Sequence, residues 1–208
     1  MPSAPVPAAA STPTIAGPPV PASLRGYLGI LAIFALGNPS ATFLILRAQD
    51  VGIADTTIPI LWGVLHVAKV IATWLGGDLA DRVSRPRLIA VGWLVNAASF
   101  LALGFAGEVW QLWAIVIVYG AYHGLTEPAE KALVKDLAPE HARGRAYGLY
   151  HFVIGITAIP AGLTMGALWD HQGPVVAFGV GAALAAISSV ALGLYSGRMV
   201  LADRETRA

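Results

Sequence analysis

The amino-acid sequence predicts an all-α membrane protein with six transmembrane helices arranged as two three-helix repeats. Three observations lead there. Hydrophobic residues make up 56% of the 208 positions and charged residues only 12%, with a mean hydropathy of +0.67, which lies outside the range of soluble domains. Six stretches are long and apolar enough to cross a bilayer, which takes about 20 helical residues at a rise of about 1.5 Å each. The basic residues, finally, gather on one side of the membrane that these stretches define.

The chain opens with a Pro- and Ala-rich segment, residues 1–24, that lacks the charged and apolar regions of a secretory signal and reads as a disordered cytoplasmic tail or linker. The membrane domain is placed at 25–198 and a short cytoplasmic tail at 199–208. Within it the spans run near Tyr27 to Leu46, Thr57 to Gly77, Leu88 to Ala106, Trp110 to Glu127, Ala146 to Trp169 and Val175 to Tyr195. Eleven of the thirteen Lys and Arg residues fall on one side: Arg25, Arg82, Arg85, Arg87, Lys131, Lys135, Arg143, Arg145, Arg198, Arg204 and Arg207. Arg47 alone falls on the other, and Lys69 lies inside a span. Both termini are therefore expected in the cytoplasm, and a multi-pass protein of the cell (inner) membrane is the expected location.

The spans differ in polarity. The third and sixth carry few hydrogen-bonding side chains and can face lipid at little cost. The first, second, fourth and fifth carry Asn38 and Thr42; His66, Lys69 and Thr73; Tyr119, Tyr122, His123 and Glu127; and Tyr150. Four polar-striped helices and two greasy ones, the greasy one last in each run of three, point to a polar interior that these ten side chains line.

Lys69 is the most informative of them, because an unpaired cation near mid-span costs about 2.5 to 3.5 kcal/mol on insertion scales. His66, Lys69 and Thr73 share one helical face. The helical rise places Glu127 about 7 Å deeper than Lys69, within reach of a lysine side chain, so a Lys69–Glu127 pair is expected. His66, His123 and His151 lack the spacing of a helical metal site, and interior histidines satisfied by neighbours are the simpler reading; His123, on the Glu127 face, is the one expected to carry protons if transport is proton-coupled. Glycines four apart, at Gly144 and Gly148, Gly162 and Gly166, and Gly193 and Gly197, are expected at close helix contacts, and Pro39 and Pro160 at helix breaks.

The charged stretch from Gly77 to Arg87 reads as a tight cytoplasmic hinge between the second and third spans. It resembles the Gly-x-x-x-Asp-Arg-x-Gly-Arg-Arg loop motif of the major facilitator superfamily through Gly77, Asp81, Arg82 and Arg85, with Ser84 and Pro86 departing from it. A second stretch, Gly124 to Pro139 followed by Arg143 to Gly148, is similar to the helix exit and entry late in bacterial members. The resemblance implies the C-terminal six-helix half of such a transporter. It also implies a cytoplasmic gate at Gly77, Asp81, Arg82, Arg85, Glu130 and Arg143, in which the arginines bridge to Glu130 or Asp136. The implied function is transport of a small solute by alternating access, with membrane lipids, the substrate, and either a second copy or a separate N-terminal half as partners. A non-transporting six-helix remnant, or a fragment of a longer gene, is the alternative.

Other classes find no support in the residues. A net charge of +1 gives no reason to invoke nucleic acid, and a chain without cysteine has no disulfide or thiolate metal site. No cofactor motif is present, and enzymatic activity is not expected: Ser40 follows Pro39 inside a span and no nucleophile elbow surrounds any serine.

Overall fold

The computed structural model describes residues 20–205, and every regular element among them is helical. The helices are α1 (Ala22–Gly37), α2 (Thr42–Asp50), α3 (Ile58–Arg82), α4 (Arg85–Phe105), α5 (Val109–Leu137), α6 (Arg143–Gln172) and α7 (Pro174–Glu205). Residues 1–19 and 206–208, which the tails were expected to include, lie outside the described residues, as does the side chain of Asp81. Where a tail was expected after Arg198, α7 continues to Glu205.

Local chemistry accounts for the breaks. Proline offers no N–H and its ring disfavours helical geometry in the residue before it. The first predicted span accordingly divides at Asn38-Pro39, where Asn38 leaves the helical region with φ −118° and ψ 73°. Proline in the first turn opens α3 and α4, where a missing N–H costs nothing. At the start of α5 a capping box forms: Glu108 accepts from the backbone at Gln111, whose side chain in turn accepts from the Glu108 N–H at 3.0 Å. Gly173, at φ 85°, ends α6 in a conformation that a side chain would strain, and Pro174 begins α7.

Among the described residues five helices are long and apolar enough to cross a membrane, counting the broken α1–α2 pair as one. The fifth helix is not among them because of its polar residues, yet its 29 residues extend roughly 43 Å at about 1.5 Å each, longer than the about 30 Å hydrocarbon layer. It packs on α3, α4 and α6, while α4 packs on α7 and α1 bridges to α6 and α7.

The packing corrects two expectations. The third and sixth spans do not simply face lipid. As α4 and α7 they form a back layer that buries Trp93, Asn96, Phe100, Phe178, Ala185 and Ser188 and leaves only an outer row, such as Leu94, Phe105, Val190 and Leu194, exposed. The barest spans are α3 and α6, with 17% of their apolar windows buried against 56% for α4. The close helix contacts also fall on other glycines. A side chain at Gly144, Gly148, Gly162, Gly166, Gly193 or Gly197 would meet nothing. A Cβ at Gly120 would stand 2.6 Å from the Leu65 carbonyl, and one at Gly124 would overlap the Lys69 carbonyl, so these two glycines set the distance between α5 and α3. Spacing in sequence selects candidates; only the rotation of each helix decides which glycines face a neighbour.

Candidate functional site

A cavity of about 460 Å³ opens between the break in α1–α2 and the facing sides of α3, α5 and α6, and among the described residues none of α4 or α7 lines it. Its lining takes in seven of the ten predicted side chains: Asn38, Lys69, Tyr119, Tyr122, His123, Glu127 and Tyr150. Pro39 lies on the wall too, since the interrupted helix turns its bend toward the cavity.

Three predicted residues stay outside the lining. Thr42 is exposed on α2 and pairs with the Ser40 hydroxyl at 2.9 Å. His66 sits a turn from Lys69 on an exposed part of α3, its Nδ1 2.9 Å from the Trp62 carbonyl. Thr73 donates back to the Lys69 carbonyl at 2.8 Å, a local bond that satisfies its hydroxyl within its own helix. Lys69 reaches the cavity from the same face because its side chain is long enough to cross the α3–α5 seam that Gly120 and Gly124 hold narrow.

The centre of the site is a shared carboxylate. Lys69 donates from α3 to Glu127 Oε2 at 2.7 Å, and Lys131 donates from one turn further along α5 to Glu127 Oε1 at 2.9 Å. All three side chains are between 36% and 43% exposed, so the cluster borders open space rather than a sealed core. Lys131 had been sorted with the inner-face charges; its i, i+4 relation to Glu127 was the signal that could have joined it to the pair.

Glu130 corrects the gate expectation. Instead of meeting an arginine at the hinge, it is a nearly buried residue of the cavity lining, accepting from the Trp93 indole at 3.0 Å and from the Tyr150 hydroxyl at 2.8 Å. Three residues beyond Glu127, it turns to the inward side of α5, where α4 and α6 supply neutral donors. The Trp93 N–H finds its partner only across helices, which no spacing within one helix reveals. The Trp93 ring stacks on Phe34 at 4.3 Å, and Tyr119, Tyr122 and His123 form an aromatic group along α5 with ring centroids 4.7 to 5.6 Å apart. Asn38 donates to the Tyr122 hydroxyl at 3.4 Å.

At the hinge the expected bridge from an arginine to Asp136 is present. Arg85, at the start of α4, forms an ion pair with Asp136 near the end of α5. Arg143 pairs locally with Glu140 at 3.2 Å. Gly77 is an exposed helical position with open space around it, and Arg82 ends α3. At the opposite end of the bundle Arg47 caps the C-terminus of α4, donating to the carbonyls of Leu103 at 3.0 Å, Gly104 at 3.3 Å and Ala106 at 2.6 Å. A basic side chain on terminal carbonyls satisfies acceptors that the helix cannot and meets the negative end of its dipole.

Charged side chains at a cavity among apolar helices mark a functional site of a membrane protein. Comparison with known families decides which kind: the model of the Major Facilitator Superfamily matches residues 26–206. The chain belongs to the major facilitator superfamily. It is a multi-pass membrane protein of a transporter family. It is 33% identical over 184 residues to an uncharacterized MFS-type transporter of Methanocaldococcus jannaschii, an alignment that covers 83% of this chain and 45% of the relative. The multidrug resistance protein MdtH of Klebsiella pneumoniae is 31% identical over 122 residues, 59% of this chain and 29% of that protein. The MdtH of Edwardsiella ictaluri is 32% identical over 127 residues, 61% and 30% respectively. The chain thus spans less than half the length of these curated relatives.

Proposed function

We propose that this superfamily member is one six-helix half of an alternating-access transporter, moving a small organic solute through the cavity between α1, α3, α5 and α6. The observation that carries the reading is the Lys69–Glu127–Lys131 cluster beside that cavity, an arrangement too costly in a membrane interior to keep for packing alone. The name of the MdtH relatives supports a solute of drug-like size, and a cavity of about 460 Å³ has room for one.

A second six-helix unit completes the pathway in this reading, either another copy or a separate N-terminal half. The bareness of α3 and α6 supports it, as do Gly144, Gly148, Gly155 and Gly162, open positions on α6 that would let another helix approach closely. Orientation follows the positive-inside rule, with both termini cytoplasmic in the inner membrane and the Arg85–Asp136 pair closing the inner side. For proton coupling, charge matching favours Glu130 over His123 and Glu127. Glu127 is matched by two ammonium groups, whereas Glu130 meets only neutral donors, so a proton on Glu130 leaves no unpaired charge.

The test is flux in liposomes holding the chain alone or together with the N-terminal half of a related transporter, using a panel of drug-like fluorophores, with Glu127→Ala as the control. Flux that requires two six-helix units and falls at least about tenfold in the variant is the expected result. A strictly monomeric chain without flux in either preparation overturns the reading.

A further inference from the structure

Resting on the transport reading, we infer that the cavity selects amphipathic organic anions, held by Lys69 and Lys131 at the charged end and by the apolar lining at the other. The argument is a count of charge and of donors. Two ammonium groups share a single carboxylate, whose two oxygens are each already engaged. The other acid, Glu130, stands in the lining but is only 7% exposed and has both oxygens committed to Trp93 and Tyr150, so it turns little of its carboxylate toward a ligand. What the cluster offers an incoming molecule is therefore one surplus positive charge and unused N–H donors on two flexible, partly exposed side chains. A carboxylate, sulfonate or phosphonate complements that surplus; an organic cation meets two like charges and no free acid.

The body of the ligand is set by the rest of the lining. Ala35, Ile154 and Ala158 give an apolar surface backed by the buried Leu31, Phe34 and Tyr122, and the His123 and His151 rings stand beside it. Such a lining favours an apolar ring. The site thus fits a planar ring system carrying one anionic group, of a size that the about 460 Å³ cavity encloses.

The experiment uses three probes of one shape: naphthalene-2-sulfonate, its neutral sulfonamide, and 2-naphthylmethylammonium. Equilibrium binding to the purified full chain in mild detergent is measured for each, at low and high salt. The sulfonate is expected to bind at least about tenfold more tightly than the sulfonamide and more tightly still than the ammonium, with the preference shrinking as salt rises. Lys69→Met and Lys131→Met should each lower sulfonate affinity about tenfold and leave sulfonamide affinity within about twofold, whereas Lys131→Arg should retain it and Glu127→Gln should raise it. The comparison of probes on the unaltered chain decides the matter even where a variant fails to fold. Equal binding of all three probes, preference for the ammonium, or no sulfonate binding overturns the proposal. Binding needs no flux, so the two readings fail separately: selective sulfonate binding without transport refutes the transport reading alone, and transport of neutral or cationic probes without sulfonate preference refutes the anion site alone.

Discussion

Replacing Gly124 by alanine adds one methyl group at the point where α5 lies against α3, and the structure says what that methyl meets. It would overlap the Lys69 carbonyl and stand 2.7 Å from both Ala72 Cβ and Thr73 N, where ordinary contact begins near 3.4 Å. Two of these three atoms are backbone, so no side chain can swing aside, and the helices must part by at least about 0.7 Å. Overpacking of this kind costs about 1 to 3 kcal/mol. The same displacement lengthens the Lys69–Glu127 contact from 2.7 Å, because Lys69 is the residue whose carbonyl is pushed. Gly148→Ala is the control, since a Cβ there meets nothing and alanine is the better helix former. Thermal unfolding of both variants in the same detergent, followed by solute flux, is the assay. Gly124→Ala is expected to unfold several degrees lower and to lose flux, with Gly148→Ala unfolding at or above the parent temperature. Indistinguishable unfolding of the two variants would refute the claim that Gly120 and Gly124 set the α3–α5 seam.

Other perturbations follow from the same contacts. Glu130→Ala leaves the Trp93 N–H and the Tyr150 hydroxyl buried without their acceptor, at about 1 to 3 kcal/mol each, and should lower the unfolding temperature well beyond what Glu127→Ala does at its half-exposed position. Arg47→Gln uncaps three carbonyls at the end of α4 and should destabilise by about 1 to 2 kcal/mol, seen as faster amide exchange in Leu103 to Ala106. Asp136→Arg opposes Arg85 with a like charge; because the pair is partly exposed, stability should change by less than about 1 kcal/mol while flux changes, and restoring the pair as Arg85→Asp with Asp136→Arg should recover that flux.

The parts of this site that the sequence revealed are those written within a single helix or between two depths in the membrane. Lys69 stands out because a lone cation in an apolar run needs a partner, and counting rise along two parallel helices from their outer ends leads to Glu127. The break at Pro39 is legible for the same local reason. Glu130 was assigned to the gate because its partners, Trp93 and Tyr150, come from two other helices whose rotation no periodicity specifies. The glycine contacts failed in the same way: Gly144 and Gly148 have the spacing of a contact and Gly120 and Gly124 have the contact. The third span looked lipid-facing because its side chains are apolar, but apolar residues serve equally in a layer between helices, and α4 lies between α5 and α7. The all-helical membrane fold was therefore within reach of pattern and composition, and the family within reach of the motif resemblance at the hinge, whereas the ordering of side chains around the cavity depends on helix azimuth.

The central claim is that the cavity opens to each side of the membrane in turn, and the absence of cysteine from the chain makes a direct test simple. Ala158→Cys puts one thiol on the exposed cavity wall of α6, to be labelled with a membrane-impermeant maleimide in right-side-out and in inside-out vesicles. Labelling is expected from both faces, with Asp136→Asn, which loosens the Arg85 contact, shifting it toward the inner face at the expense of the outer. Labelling from one face only, unmoved by Asp136→Asn, would contradict the claim.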